Sequence, residues 1–142
     1  MKIAIGGDHA GFEYKQAIKT YLEKLGHTVE DFGPFSDDSC DYPDIAHPLA
    51  MSVESKKNEL GIGICGSGNG INMTLNKHQE IRSALCWEVE LARLARQHNN
   101  ANVLALPSRF ISIELAKKCV EAFVNEEFEG GRHERRVNKI KL

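Results

Sequence analysis

Residues 60–70, LGIGICGSGNG, decide the fold that this sequence predicts. The first six residues are apolar almost without interruption, which is typical of a strand buried on both faces of a parallel sheet. Gly61 and Gly63 within it indicate close approach of neighbouring backbone. The glycine-rich turn that follows leads into apolar residues at helical spacing from Ile71. This stretch therefore predicts a buried strand, a tight turn and a helix.

The same alternation of strand and helix continues along the chain. Short apolar runs predict five strands, over residues 3–5, 28–32, 60–65, 82–86 and 103–106. Apolar residues at helical spacing predict five helices, over residues 12–25, 45–56, 71–76, 89–97 and 112–124. Five strand–helix units are typical of a parallel sheet covered on both faces. We expect an α/β protein: a single Rossmann-like three-layer αβα domain over residues 1–142, with a five-stranded parallel sheet.

Composition excludes several classes of protein. The 142 residues fit one domain at roughly 150 residues per domain. Hydrophobic residues make up 42% and charged residues 27%, which favours a globular protein over a disordered one. No apolar run approaches the roughly 20 residues of a membrane span, and no signal peptide precedes the first strand. We expect a cytoplasmic protein with no membrane partner.

The four cysteines are dispersed, without a CxxC pair. Zinc sites and disulfide frameworks use closer spacings or more cysteines, so reduced thiols and no bound metal are expected. The cysteines are Cys40, Cys65, Cys86 and Cys119.

The last fourteen residues, 129–142, form a basic C-terminal arm. They carry five cations and two anions, so the other 128 residues of a chain with net charge −2 carry −5. A local cationic arm favours a specific anionic partner over nucleic acid. A solvated tail is the alternative. Gly130 and Gly131 favour a shaped turn that directs the following arginines.

Residues 66–70 predict an anion cradle. Successive backbone N–H groups between a buried strand and a helix start can converge on an anion or a developing oxyanion, and the glycines permit the positive φ angles required. No Gly-Lys-Ser/Thr follows, which excludes a Walker loop, and Gly70 falls one position early for the dinucleotide motif. Ser67 is either part of the cradle or a helix N-cap.

Titratable side chains follow three predicted strands. Ligands of parallel sheets bind at the carboxyl ends of strands, which selects residues 6–11, 66–70 and 107–110. Cys65 ends a strand beside a helix start, where the pKa of a thiol is lowered, and is a candidate base; the alternative is a small core residue. Asp8 is either an acid of the site or a helix cap, and His9 can donate to a phosphate or sugar oxygen.

Two further residues suit proton transfer or anion binding. The imidazole of His98 suits proton transfer, although its surroundings also fit a helix C-cap and turn. Arg109 follows the fifth strand. An anion cradle, acid–base groups and arginines, without a metal or nucleotide motif, indicate proton-transfer chemistry on a small phosphorylated substrate.

Five segments together resemble the type B ribose-5-phosphate isomerase family, which also contains galactose-6-phosphate isomerase subunits and enzymes accepting allose 6-phosphate. They are GGDHAG (6–11), DYPD (41–44), CGSGNG (65–70), RQHN (96–99) and GGRHERR (130–136). The resemblance implies an aldose–ketose isomerase that needs neither metal nor organic cofactor. It also implies a homodimer or homotetramer whose sites are shared between two subunits.

The resemblance implies a role for each matching proton-transfer residue. Cys65 would move a proton between C1 and C2 of the sugar through a cis-enediolate. Ser67 would assist the backbone N–H groups that stabilise the enediolate, and His98 would open the furanose ring. Those N–H groups belong to Gly66, Ser67, Gly68, Asn69 and Gly70. Ser67 stands where threonine is common in the family, and residues 69–72 contain no acid that could replace the thiol.

The remaining matching residues would bind the substrate. Asp8 and Asn99 would hold sugar hydroxyls. The phosphate or the adjoining part of the substrate would be bound by His9, Arg109, Arg132 and Arg136.

Two classes of alternative stay open at this stage. A six-carbon substrate, allose 6-phosphate or galactose 6-phosphate, would use the same chemistry. A non-catalytic nucleotide- or flavin-binding module on a flavodoxin-like sheet would use residues 66–70 as its cradle. A DNA-binding role for the basic arm is disfavoured.

Overall fold

The computed structural model describes residues 1–142, whose strands pair in the order β2-β1-β3-β5-β4, all parallel. The strands are β1 (Lys2–Gly7), β2 (Thr28–Asp31), β3 (Leu60–Cys65), β4 (Ser83–Leu85) and β5 (Val103–Pro107). The helices are α1 (Phe12–Lys24), α2 (Tyr42–Glu54), α3 (Asn69–Leu75), α4 (Val89–Gln97), α5 (Ile113–Asn125) and α6 (Arg132–Asn138). A 3-10 turn, His9–Gly11, joins β1 to α1.

Helices cover both faces of the sheet, as predicted. On one face Ile62, Ile64 and Phe123 belong to a buried cluster under α1, α4 and α5. On the other face Ala4 and Ile71 belong to a second cluster under α2 and α3. The α/β three-layer prediction is therefore confirmed.

The glycines of β3 permit close packing on the α2–α3 face. A β-carbon at Gly61 would lie 2.9 Å from the Leu49 side chain, and one at Gly63 would lie 3.1 Å from Leu75. Real β-carbons do not approach so closely without displacing a neighbour, so these positions favour glycine. The close approach expected from the sequence is confirmed.

Two elements differ most from the sequence prediction, and the other bounds differ by two residues or fewer. Helix α2 begins at Tyr42, three residues before the predicted start, because Pro43 lies in its first turn, where a missing N–H costs no hydrogen bond. The basic arm contains a helix, α6, which was not predicted. Gly130 and Gly131, with φ of 70° and 56°, form the turn before it, so the predicted shaped turn is confirmed.

The parallel sheet gives the molecule two distinct edges. The loops after β1, β3 and β5 lie at what we call the carboxyl edge. Helices α4 and α5 run antiparallel to the strands, so residues 98–102 and the basic arm lie at the opposite edge, which we call the amino edge. There the Glu129 N–H donates to the Gln97 carbonyl at 3.0 Å. The five residues of β5 at about 3.3 Å each separate the edges by about 16 Å.

No helix has the length and apolarity required to cross a membrane.

Candidate active site

Cys65 ends β3 and is buried, with 4% of its surface exposed. The chain turns sharply after it: Gly68 has a φ of 77°, and a β-carbon there would lie 2.4 Å from the Leu85 side chain. Backbone N–H groups of Ile71, Gly68 and Gly70 lie close enough to the sulfur to favour its thiolate. Two N–H groups of the predicted cradle, those of Gly68 and Gly70, and the N–H of Ile71 just after it therefore lie beside the Cys65 sulfur.

Burial dominates the ionisation of this thiol. Desolvation raises the pKa of Cys65 above its ordinary value of 9.0, and the negative charge of Asp8 raises it further. The three N–H groups act in the opposite direction and do not overcome the burial. The expectation that the helix start lowers this pKa is therefore wrong for the isolated chain, because packing of β3 and α3 removes water from the sulfur.

Asp8 and His9 lie beside the cradle at the end of β1. The Asp8 carboxylate is almost completely buried and accepts the Gly11 N–H at 3.1 Å, so it caps the 3-10 turn. The Asp8 N–H donates to the Ile64 carbonyl at 3.1 Å, which holds the loop against β3. His9 accepts the Cys40 N–H at Nδ1, at 3.3 Å.

Arg109 completes this group from the end of β5. Its N–H donates to the Gly66 carbonyl at 3.0 Å, and its guanidinium lies 3.2 Å from the position that a Gly66 β-carbon would occupy. The cradle thus has a positive charge on one side. The Ser67 hydroxyl accepts the Asn69 N–H at 3.3 Å. The N-cap of α3 is Gly68 and not Ser67, so the N-cap alternative for Ser67 is wrong.

Two residues at this site were not singled out in the sequence. The Tyr42 ring fills the space beside Gly70, with its hydroxyl oxygen 2.6 Å from a β-carbon placed there. The Ser108 hydroxyl donates to the Ala10 carbonyl at 2.8 Å and to the Cys65 carbonyl at 3.3 Å, which ties together the loops after β1, β3 and β5. Tyr42 lies in the DYPD segment (41–44), and the resemblance of that segment to the family was the sequence signal that could have identified it.

The other predicted site residues lie at the amino edge. His98 ends α4, and its ring stacks on His133 with centroids 4.1 Å apart. The Glu129 carboxylate lies 3.7 Å from Nε2 of His98 and 3.6 Å from Nε2 of His133. Burial, followed by the charges of His98 and Arg132, lowers the pKa of His133. Asn99, Arg132 and Arg136 are exposed nearby.

Ligand atoms of His98, Glu129 and His133 lie within 4.8 Å of one another, which is close enough to suggest a metal site. The two imidazole rings, however, are only 11° from parallel and stack face to face. Lone pairs of imidazole nitrogens lie in the ring plane, so both rings cannot point at one ion in this arrangement.

The structure therefore divides the predicted residues into two groups. The carboxyl edge brings together Asp8, His9, Cys65, Gly66, Ser67, Gly68, Asn69, Gly70 and Arg109. The amino edge holds His98, Asn99, Arg132 and Arg136, about one strand length away. The first group can bind an anion and remove a proton from carbon, because it joins a thiol, oxyanion donors and a guanidinium.

Known proteins match this chain along almost its whole length. The family model Ribose/Galactose Isomerase matches residues 3–140. Ribose-5-phosphate isomerase B of Escherichia coli (strain K12) is 45% identical over 98% of this chain and 93% of its own.

Two solved structures have the same fold as this chain. The ribose 5-phosphate isomerase of Thermotoga maritima has a TM-score of 0.96 and 49% identity over 99% of this chain and 97% of its own. Ribose-5-phosphate isomerase B from Mycoplasma genitalium, with bound ribulose-5-phosphate, has a TM-score of 0.93 and 43% identity over 98% and 93%. The resemblance stated from the sequence is confirmed, and the chain belongs to the ribose/galactose isomerase family.

Proposed function

We propose that this protein interconverts ribose 5-phosphate and ribulose 5-phosphate, with Cys65 as the base. The observation that carries the assignment of the base is the position of the Cys65 sulfur inside the backbone N–H cradle, beside Arg109. The names of the similar proteins support the five-carbon substrate.

Proton transfer follows from this geometry. The Cys65 thiolate takes the proton from C2 of the open-chain aldose and returns it to C1. The hydroxyl proton on O2 moves to O1 in the enediolate, so the carbonyl moves from C1 to C2. The negative oxygens of the intermediate enediolate accept hydrogen bonds from the cradle. Preorganised donors of this kind contribute roughly 3–4 kcal/mol each. Asp8 and Ser67 lie where they can hold the neighbouring hydroxyls.

Binding of the substrate's phosphate orients the reacting carbons of the sugar relative to Cys65. His9 and Arg109 lie at the same edge as Cys65 and suit the phosphate or the adjoining part of the sugar. Binding the phosphate holds the reacting carbons against the sulfur, so energy from a remote contact lowers the barrier.

Residues at the amino edge must then come from a second copy of the chain. His98, Asn99, Arg132 and Arg136 are too far from Cys65 of their own chain to touch the same small sugar. A two-fold dimer places the amino edge of one protomer against the carboxyl edge of its partner at two equivalent sites. We propose a homodimer or homotetramer with shared sites, in which the partner's imidazole opens the ring and its arginines bind the phosphate.

One experiment separates this function from its alternatives. We expect turnover of ribose 5-phosphate to exceed that of allose 6-phosphate and galactose 6-phosphate in side-by-side kcat/KM measurements. A higher kcat/KM for either hexose phosphate would move the assignment to that substrate. Bound flavin, or thermal stabilisation by nucleotides and not by pentose phosphates, would replace it with the nucleotide-binding alternative.

A second experiment tests the base. Cys65→Ala should lower turnover by about 10²–10⁴-fold and abolish exchange of the C2 proton with deuterated water, since general base catalysis contributes about that factor. Binding of a phosphorylated sugar analogue should be retained. Turnover at the wild-type rate would exclude the thiol as the base.

The proposed reaction uses only side chains and N–H groups of the protein, so we propose that it requires no metal or organic cofactor. We also propose that residues 1–142 act as one domain in the cytoplasm, where four free cysteines suit a reducing compartment.

A further inference from the structure

We propose that Lys15 is a positioning residue that acts on His9 through Asp31 and the loop of residues 33–41. It holds His9 in the tautomer whose Nε2–H donates a hydrogen bond to the substrate's phosphate. Lys15 has no part in the reaction described above. The inference rests on the proposed function for the identity of the substrate, whereas the tautomer itself is a property of the protein alone.

Lys15 is a cation with a completely buried side chain, at 0% exposure. Its Nζ donates to Oδ2 of Asp31 at 2.6 Å and to the Gln16 side chain at 2.7 Å, and it lies 5.4 Å from the Phe12 ring centre. A buried charge of this kind persists only when its partners are held in place. The position of Asp31, at the end of β2, is therefore coupled to Lys15.

Asp31 passes this constraint to the start of the 33–41 loop. Its second oxygen, Oδ1, accepts the Gly33 N–H at 2.8 Å. The Gly33 carbonyl accepts the Gly7 N–H at 2.9 Å, one residue before Asp8. The Phe35 ring lies over the Lys15 ammonium, 5.6 Å from its centre. The start of the loop is thus held by hydrogen bonds to β1 and β2 and by the contact of Phe35 with Lys15.

The far end of the loop reaches the active site. The Cys40 N–H donates to Nδ1 of His9 at 3.3 Å, and this is the one hydrogen bond that joins residues 34–40 to another segment. A backbone N–H can only donate, so Nδ1 must present its lone pair. Neutral His9 therefore carries its proton on Nε2.

This tautomer suits an anionic ligand. An N–H at Nε2 can donate to a phosphate oxygen, whereas the other tautomer would turn a lone pair toward the negative charge. Removing the Lys15 ammonium releases Asp31 and the start of the loop, so the Cys40 N–H loses its fixed place. His9 is then free to adopt both tautomers, and phosphate binding weakens.

Two variants interrupt this chain of contacts at different points. Lys15→Met removes the buried ammonium that binds Asp31. Cys40→Pro removes the N–H that donates to His9 and leaves the Lys15–Asp31 pair intact. Cys40→Ala is the matched control because it keeps that N–H. We expect the KM for ribose 5-phosphate to rise about tenfold in the first two variants, with kcat little changed, as expected for one hydrogen bond to a charged group. Cys40→Ala should keep the wild-type KM.

Nitrogen-15 chemical shifts of His9 report the tautomer directly, with and without inorganic phosphate. The wild type and Cys40→Ala should have an unprotonated Nδ1 and a protonated Nε2, and the two other variants should show both tautomers. A wild-type His9 protonated on Nδ1 would overturn the proposal. So would a Lys15→Met protein that loses thermal stability but keeps the wild-type KM and His9 spectrum.

If Lys15→Met does not fold, Cys40→Pro provides the test. A wild-type KM and a wild-type His9 spectrum in Cys40→Pro would refute the inference. Failure of the proposed function gives a different result. The wild type would then not turn over ribose 5-phosphate, while its His9 signals would still report the Nε2–H tautomer.

Discussion

The ring of Tyr42 lies against Gly70 so closely that its Cζ is 2.4 Å from the point a β-carbon at residue 70 would occupy. Tyr42 begins α2, and Gly70 lies in the first turn of α3. Two helices that cover the same face of the sheet thus meet at the N–H cradle of Cys65. The cradle keeps its shape only while residue 70 has no side chain.

Gly70→Ala should therefore impair both stability and catalysis. The added methyl group must displace the Tyr42 ring or the α3 backbone, and overpacking of this kind costs about 1–3 kcal/mol. A displaced cradle should lower kcat/KM by about 10²-fold, the effect of a misplacement near 1 Å. Chemical denaturation and steady-state kinetics measure the two effects.

A double-mutant cycle provides the control for this prediction. In a Tyr42→Ala background, Gly70→Ala should be tolerated with a much smaller loss of stability, because the ring that causes the clash is gone. Equal losses in both backgrounds would show that the contact with the ring is not the cause.

Activity should rise with pH above neutrality. Burial raises the pKa of Cys65 above 9.0, so the thiolate that we propose as the base is a small fraction at pH 7 and grows as the pH increases. We expect kcat/KM to increase from pH 7 to at least pH 9 without a plateau. A flat profile over that range would contradict the raised pKa.

Asp8→Asn should move the ionisation of Cys65 to lower pH. The negative charge of Asp8 raises the pKa of the thiol, and asparagine removes that charge while remaining a good cap for the 3-10 turn. The rate of Cys65 alkylation against pH, followed by peptide mass spectrometry, measures the shift. Identical midpoints in the variant and the wild type would exclude electrostatic coupling between the two residues.

The core thiols predict a loss of stability in alkali. Burial raises the pKa of Cys86 to about 12 and that of Cys119 to about 11. The native state keeps these protons where the unfolded chain, with an ordinary pKa of 9.0, releases them. Their contribution is complete below pH 9 and is lost as the pH rises through the folded values, by up to about 1.4 kcal/mol per pH unit for each thiol.

Cys119→Ala isolates one of these thiols. The variant should be less stable than the wild type at pH 7, because it loses buried volume. Its free energy of unfolding should then fall less steeply than that of the wild type between pH 9 and pH 11. Parallel curves over that interval would contradict the raised pKa of Cys119.

Mixing two inactive variants tests whether sites are shared. In the proposed homodimer, Cys65→Ala and His98→Ala each remove one group from every site. In a mixed dimer one site loses both groups and the other keeps both, so random reassociation should restore about a quarter of the wild-type activity. If each chain contained a whole site, mixing would restore nothing.

The sequence predicted the sheet and the carboxyl-edge groups because their signals are local. Strand β3 is continuously apolar, and the closely spaced glycines after it are typical of a tight turn whose backbone N–H groups bind an anion. Helix α6 was missed because only His133 and Val137 of its seven residues are buried, which is too few to make an apolar stripe. Burial of Lys15 could not be predicted, since its partner Asp31 lies sixteen residues away on another element.

One expectation for the site was wrong, and the cause is physical. The pKa of Cys65 depends on how completely α3 and β3 exclude water, which residue spacing does not report. The role of His98 followed from the family resemblance, which implied sites shared between two subunits. The direction of α4 sends its end to the far side of the sheet from Cys65, which agrees with a shared site, and that site stays a prediction. Chain direction through each strand–helix unit is enough to predict that His98 and Cys65 of one chain lie at opposite edges of the sheet.

Division of the functional groups between the two ends of the sheet has a genetic consequence. In the proposed homodimer, a chain damaged at one end only would still assemble with an intact copy, and each such hybrid would keep one working centre of its two. Such alleles should therefore complement one another inside a cell when their lesions fall at opposite ends, and fail to do so when the lesions share an end.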